Sequence, residues 1–270
     1  MGAPATEIPM NRLKTLAVNG LNSILPVSIK NSLFHLSFHL ARSEFDRFSY
    51  DVNFAPNMEL GLIAAAGRGL QPQTILDVGA FEGNWSRMAR RIWPRSRIVM
   101  FEANARKQPN LSTVAHEIGA SLCCELLGAD DGAEVVFNVM ESGSSVLNER
   151  SPVERDVENR TLRRIDAIPL DLTGNILLKI DTQGYELEVL KGAGRLLPRV
   201  DAILLEVAII EINEGAPLLH EVLVFLKSLG FVTYDILEIH RRPLDQAMNQ
   251  VDILFVRDGS PLIADKRHYA

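Results

Sequence analysis

A chain of 270 residues, 47% hydrophobic and 23% charged, has room for one sizeable core and an appendage. Its formal charge of -6 and pI near 5.6 leave no basic footprint for nucleic acid. No apolar run reaches the ~18 residues of a membrane span, and the start lacks the basic-then-apolar pattern of a secretory leader.

From about residue 10 to 70 the pattern predicts helices and no strand. Leu13, Leu16, Ala17, Leu21 and Leu25 recur at helical spacing up to Pro26, and a second apolar-periodic segment runs from Ser28 to about Phe48. The opening Met1-Gly2 fits a myristoylation pattern too short to carry weight. His35 and His39 are four apart but lack a third ligand and sit among phenylalanine and leucine, so they read as packing residues. Segment 1–70 is expected to be a helical extension, acting as a lid or as the arm of a homodimer.

Pro72 marks a boundary, and from 71 to 270 strands and helices alternate. Strands are predicted near 74–78, 97–101, 121–127, 133–140, 175–180, 201–207, 231–238 and 251–256, with helices near 84–93, 105–119, 184–196 and 216–229. That alternation implies an α/β domain with a mostly parallel sheet covered on both faces. The last two strands lack a crossover helix between them and should pair antiparallel. Cys123 and Cys124 are adjacent, which excludes a disulfide framework and suits a reducing cytoplasm. The polar stretch from Glu141 to Arg160 predicts a long loop, mobile without ligands and ordering over a bound acceptor.

The chemistry starts at Thr74–Ser86 (TILDVGAFEGNWS), a strand running into a glycine turn and a helix. In a dinucleotide site a glycine two positions after the first lets the backbone approach a pyrophosphate. Phe81 stands there instead. Asp77 would repel phosphate and attract a cation, which suits S-adenosylmethionine, a cofactor with a sulfonium, an ammonium and no phosphate. The alternative for Asp77 is a turn former bonded to its own backbone. Gly79, Ala80, Gly83 and Trp85 complete the candidate cofactor turn, although Trp85 and Trp93, eight apart, also share a packing face. Glu102 ends the second strand about 20 residues on, where a carboxylate accepts ribose hydroxyls. Asp130, in LGADDG, is a candidate for the adenine amino group or merely part of an Asp-Gly turn.

These residues, with Leu178–Glu186 (LKIDTQGYE) and the following VLKGA, resemble the FkbM family of S-adenosylmethionine-dependent methyltransferases. The likeness covers about residues 72–257, with departures at Phe81, where asparagine is commoner, and at Thr182-Gln183, where Val-Glu is commoner. It implies a Rossmann-like class I methyltransferase sheet of seven strands. It also implies O-methylation of a hydroxyl-bearing sugar, glycan or polyketide-type acceptor.

Asp181 emerges at the end of a buried strand just before the Gly184 turn, either as N-cap of the next helix or as a carboxylate facing the transferred methyl. It is the first candidate base, Glu206 the second and His240 the third. Asp181 and Glu206 on neighbouring strand ends are also a candidate Mg²⁺ pair. Two other readings stay open: a non-catalytic methyltransferase-like partner subunit, and a nicotinamide-dependent oxidoreductase, which lacks its glycine and a Tyr-Lys pair here.

Overall fold

The computed structural model of the protein describes residues 42–269, together with Pro26, Ile29 and Ser32. Two compact units divide the chain between Ala55 and Pro56. In the first, helix α1 (Arg42–Asp51) continues the helical pattern expected there. The leucine repeat, the myristoylation pattern and the His35/His39 pair lie outside the described residues, and so does most of the arm expected to dimerise.

The second unit opens with α2 (Met58–Gly67), whose N-cap Asn57 accepts from the Leu60 amide at 3.0 Å. The boundary drawn at residue 70 put this helix in the extension, whereas it belongs to the unit that holds the sheet. Then follow β1 (Thr74–Val78), α3 (Asn84–Ile92), β2 (Arg97–Phe101), α4 (Gln108–Ile118), β3 (Ser121–Cys123), β4 (Leu126–Leu127), β5 (Glu134–Val139) and β6 (Asp156–Arg163). The chain continues through β7 (Ile176–Ile180), α5 (Glu186–Lys191), β8 (Val200–Ala208), α6 (Leu219–Ser228), β9 (Phe231–Arg241) and β10 (Met248–Arg257).

Seven strands form one sheet in the order β3-β2-β1-β7-β8-β10-β9. Every pairing is parallel except the two made by β10. The α/β class, the mostly parallel seven-stranded sheet and the antiparallel closing pair are therefore as the sequence implies. Strands β1 and β7 are buried along their whole length, which is why they read as apolar runs. Leu76, Val78, Leu178 and Ile180 pack on one face with Val189 of α5 and Leu226 of α6. Ile75, Leu177 and Leu204 pack on the other with Leu62 of α2, Ala89 of α3 and Leu111 of α4. Burying each such large side chain stabilises by about 1.5–3 kcal/mol. The same alternation sets Asp77 directly opposite Lys179 on the second face.

Three expectations need correction. The strand expected over 121–127 is two: β3 stays in the main sheet, and β4 pairs with β6 in a separate three-stranded sheet, β4-β6-β5. The polar stretch 141–160 is not all loop, because its end is part of β6, antiparallel to β5. Only Leu162 of that strand is buried, so its sequence carries no apolar alternation. The rest of the stretch is tied down: Asn138 and Ser145 exchange backbone hydrogen bonds of 2.8 and 3.1 Å, and the Arg150 amide donates to the Ile212 carbonyl at 2.8 Å. The helix expected over 184–196 spans only Glu186–Lys191, and Gly192, where a Cβ would lie 2.1 Å from the Gly128 carbonyl oxygen, follows its end. Among the described residues no helix is long and apolar enough to cross a membrane.

Candidate active site

Two cavities open at the C-terminal ends of the parallel strands, where ligands of open α/β sheets bind. The first lies between the glycine turn, the end of β2 and segment 142–146, with Leu126, Leu127 and Phe137 on its apolar side. The second is bounded by Trp85, Lys179, Glu206, Glu238, His240 and Asp252. Among the described residues Asp181 is the only one that lines both.

The first cavity owes its shape to backbone. Gly79 has φ 74°, and a Cβ there would sit 1.8 Å from the Asp181 carbonyl oxygen, so no side chain fits where β1 turns against β7. Phe81, two residues on, is itself left-handed at φ 49°. Its amide donates to Glu102 Oε2 at 2.8 Å, and the Asn104 amide donates to Oε1 at 2.7 Å. Burial raises the Glu102 pKa, and these two amides and the Lys179 charge oppose the rise. Glu102 thus lines the cavity where the sequence put it, held in place by two backbone donors.

Other turn residues have different jobs. Ala80 is buried in the core. Gly83 takes φ 76° at the start of α3, where a Cβ would meet Val114 Cγ1 at 2.7 Å. Asp130 is exposed and lines neither cavity, and it stands beside the Asp131-Gly132 turn. Glu125, in the break between β3 and β4, lines the first cavity instead. The sequence reading missed it because 121–127 looked like one unbroken strand.

Asp77 is also corrected. It is fully buried and lines neither cavity. Its Oδ1 lies 3.1 Å from Lys179 Nζ and its Oδ2 accepts from Ser86 Oγ at 2.7 Å. The cation it attracts is internal. Lys179 Nζ also donates to the Gly79 carbonyl at 3.0 Å and lies 3.6 Å from Asp181 Oδ2. Burial alone would lower the Lys179 pKa, but Asp77 and Asp181 outweigh it and hold the ammonium above its ordinary value.

Asp181 does not cap α5. The Thr182 and Gly184 amides donate to Glu186 Oε1 at 2.9 and 3.0 Å, so Glu186 satisfies the turn and leaves Asp181 free of it. Burial pushes the Glu186 pKa up to about 7, against an unfolded value near ~4.3. A carboxyl whose folded pKa is raised contributes stability below its unfolded pKa and loses it as pH rises through the folded one. Glu186→Gln, which keeps the acceptor oxygen but cannot ionise, should therefore be less destabilised by raising pH from about 4.3 to 7. Urea unfolding of the two proteins should diverge by up to about 1.4 kcal/mol per pH unit in that window, and parallel curves would exclude Glu186 as the titrating group.

Gln183, left-handed at φ 54°, donates through Nε2 to Asp181 Oδ1 at 3.0 Å and to Glu206 Oε2 at 2.6 Å. Gln250 Nε2 adds a donor to Glu206 Oε2 at 2.8 Å. Burial and the charges of Asp181, Asp252 and Glu186 raise the Glu206 pKa well above its ordinary value. The pair expected to hold Mg²⁺ is therefore bridged by the Gln183 amide. His240 Nε2 sits 2.6 Å from Asp252 Oδ2, a hydrogen bond that raises the imidazole pKa.

Residues 77–233, more than half of the chain, match the methyltransferase FkbM domain. The chain belongs to the FkbM methyltransferase family. No curated protein matches its sequence. Among solved structures it is similar to a methyltransferase FkbM from Methylobacillus flagellatus KT, with 15% identity and a TM-score of 0.44 over 67% of this chain and 43% of that one. It is also similar to magnesium protoporphyrin IX methyltransferase from Synechocystis PCC 6803, solved with bound SAM, at 10% identity and a TM-score of 0.43 over 84% and 96%. This chain thus spans less than half the length of the Methylobacillus protein.

In this member of the FkbM family, Trp85 lines the second cavity and not the first, with its ring centroid 5.9 Å from Lys179 Nζ. Trp93 packs in the core and donates from Nε1 to the Leu70 carbonyl at 2.8 Å. Glu238 and Asp252 are site residues that motif reading did not single out. The available signal was charge inside apolar strands, VDILFV above all, whose meaning needs the cross-strand register.

Proposed function

We infer that this protein transfers the methyl group of S-adenosylmethionine to a hydroxyl of a sugar, glycan or polyketide-type acceptor, with Asp181 as the base. The observation that carries the reading is the place of Asp181 between two cavities, one suited to the donor and one to the acceptor. Among the described residues the first is lined by three carboxylates, Glu102, Glu125 and Asp181, and by no lysine, arginine or histidine. That donor set suits a sulfonium and an ammonium and disfavours the pyrophosphate of a nicotinamide cofactor. Gly79, where a Cβ would lie 1.8 Å from the Asp181 carbonyl oxygen, lets the cofactor turn pack against the end of β7 and so sets Asp181 at the edge of this cavity.

S-adenosylmethionine, when bound, supplies a methyl group already activated by its sulfonium. What this chain adds is placement and one proton acceptor. Holding two reactants in line is worth about 7–11 kcal/mol, and a positioned base adds about 10²–10⁴ in rate. Gln183 and Lys179 orient the two oxygens of Asp181 toward the hydroxyl whose proton it takes. A carboxylate fixed at the junction of two cavities is superfluous in a non-catalytic partner subunit, which makes that reading second. Calorimetric melting with S-adenosylhomocysteine tests the proposal: a hundredfold excess over its dissociation constant should stabilise the protein by about 2.7 kcal/mol, with no shift from NAD. A flat response at millimolar S-adenosylhomocysteine would sink it.

A further inference from the structure

The second cavity holds a group of side chains for which methyl transfer through Asp181 has no use. Glu206, Asp252 and Glu238 are register partners across β8, β10 and β9, so three carboxylates stand in a row across adjacent strands. Like charges directly opposite one another destabilise a sheet. The cations lining the cavity are Lys179 and His240, and Lys179 is committed to Asp77 and Asp181. His240 Nε2 lies 2.6 Å from Asp252 Oδ2 and 4.0 Å from Glu206 Oε1. Glu238 is exposed on β9, and among the described residues its carboxylate makes no hydrogen bond or ion pair, yet it lines the cavity. One ligand atom each from Glu238, His240 and Asp252 lies within 4.8 Å of the others.

We propose that Glu238, His240 and Asp252 bind one divalent first-row transition metal ion, with Glu206 in reach as a fourth ligand. The donor set selects the ion class. Imidazole favours zinc, iron, nickel or copper, whereas Mg²⁺ prefers near-octahedral oxygen and keeps its waters. The ion takes the place of the proton between His240 Nε2 and Asp252 Oδ2. Bonds of about 2.0–2.2 Å spread those two atoms to roughly 3 Å, a shift that side-chain rotation supplies. The carboxylate row then faces a cation, which answers the repulsion of Glu206, Asp252 and Glu238. An acceptor hydroxyl on such an ion would be acidified beside Asp181; that consequence rests on the proposed methyl transfer, and the ion site does not.

The test is a Co²⁺ titration of the full chain after dialysis against a chelator. It is followed by visible d–d absorption and by proton release in weak buffer, since metal binding displaces ligand protons. The expected result is one Co²⁺ per chain, displaced by Zn²⁺ and not by equal Mg²⁺. His240→Ala and Glu238→Gln should weaken uptake by at least the roughly 10–100-fold that loss of a supporting partner costs. Glu238 sits on the edge strand with no partner to lose, so its variant folds even where His240→Ala does not. No stoichiometric Co²⁺ band in the wild type would overturn the proposal, and so would undiminished uptake by both variants, which would put the ion elsewhere. Neither readout involves methyl transfer, so failure of the ion site and failure of the proposed reaction are told apart.

Discussion

Asp181→Asn should leave the fold and the S-adenosylhomocysteine affinity nearly unchanged while turnover falls by about 10²–10⁴, the usual worth of a positioned general base. The substitution is close to isosteric, and the Asn oxygen still accepts from Gln183 Nε2, which lies 3.0 Å from Asp181 Oδ1. Capping is not at stake, because Glu186 takes the turn amides. The loss should appear in kcat at similar KM, the signature of an interaction made only in the transition state. S-adenosylhomocysteine release, with an acceptor pool that supports the wild type, measures it. Wild-type turnover would remove Asp181 from the mechanism and move Glu206 or His240, which line the same cavity, into its place.

The parts of the molecule that were legible in the sequence are those where one physical demand sets residue choice. Strands β1 and β7 sit in the middle of a parallel sheet, so both faces require apolar residues and TILDV and ILLKI announce themselves. The charge inside β1, Asp77, looked like a ligand contact because a sequence does not show that it is the register partner of Lys179. Phe81 seemed to obstruct the turn, yet its backbone takes the left-handed conformation that glycine or asparagine adopts at less cost. Strand β6 was hidden for the opposite reason. DVENRTLR buries a single leucine and has solvent on most sides, so nothing in it alternates. Glu238 and Asp252 lie far apart in the chain and meet only through the β9–β10 ladder.

Lys179→Met should destabilise the domain by about 3–5 kcal/mol, the cost of breaking a buried ion pair from one side. Asp77 is fully buried, and without Lys179 it keeps only the Ser86 hydroxyl at 2.7 Å. Methionine fills the stem of the lysine but offers nothing to a carboxylate or to the Gly79 carbonyl that Lys179 Nζ now bonds at 3.0 Å. Against a typical total of about 5–15 kcal/mol, this is a large share. The deficit should depend on pH with a definite sign. An unpaired buried aspartate has a raised folded pKa, so the variant is closest to wild type near the unfolded value of about 3.9 and loses stability as pH rises. Adding Asp77→Asn should return most of the loss, because a neutral amide still accepts from Ser86 and needs no cation. Urea unfolding of the single and double variants at two pH values decides it. A single variant costing under about 1 kcal/mol, or a double variant no better than the single, would mean that Lys179 serves Asp181 and the glycine turn more than it serves Asp77.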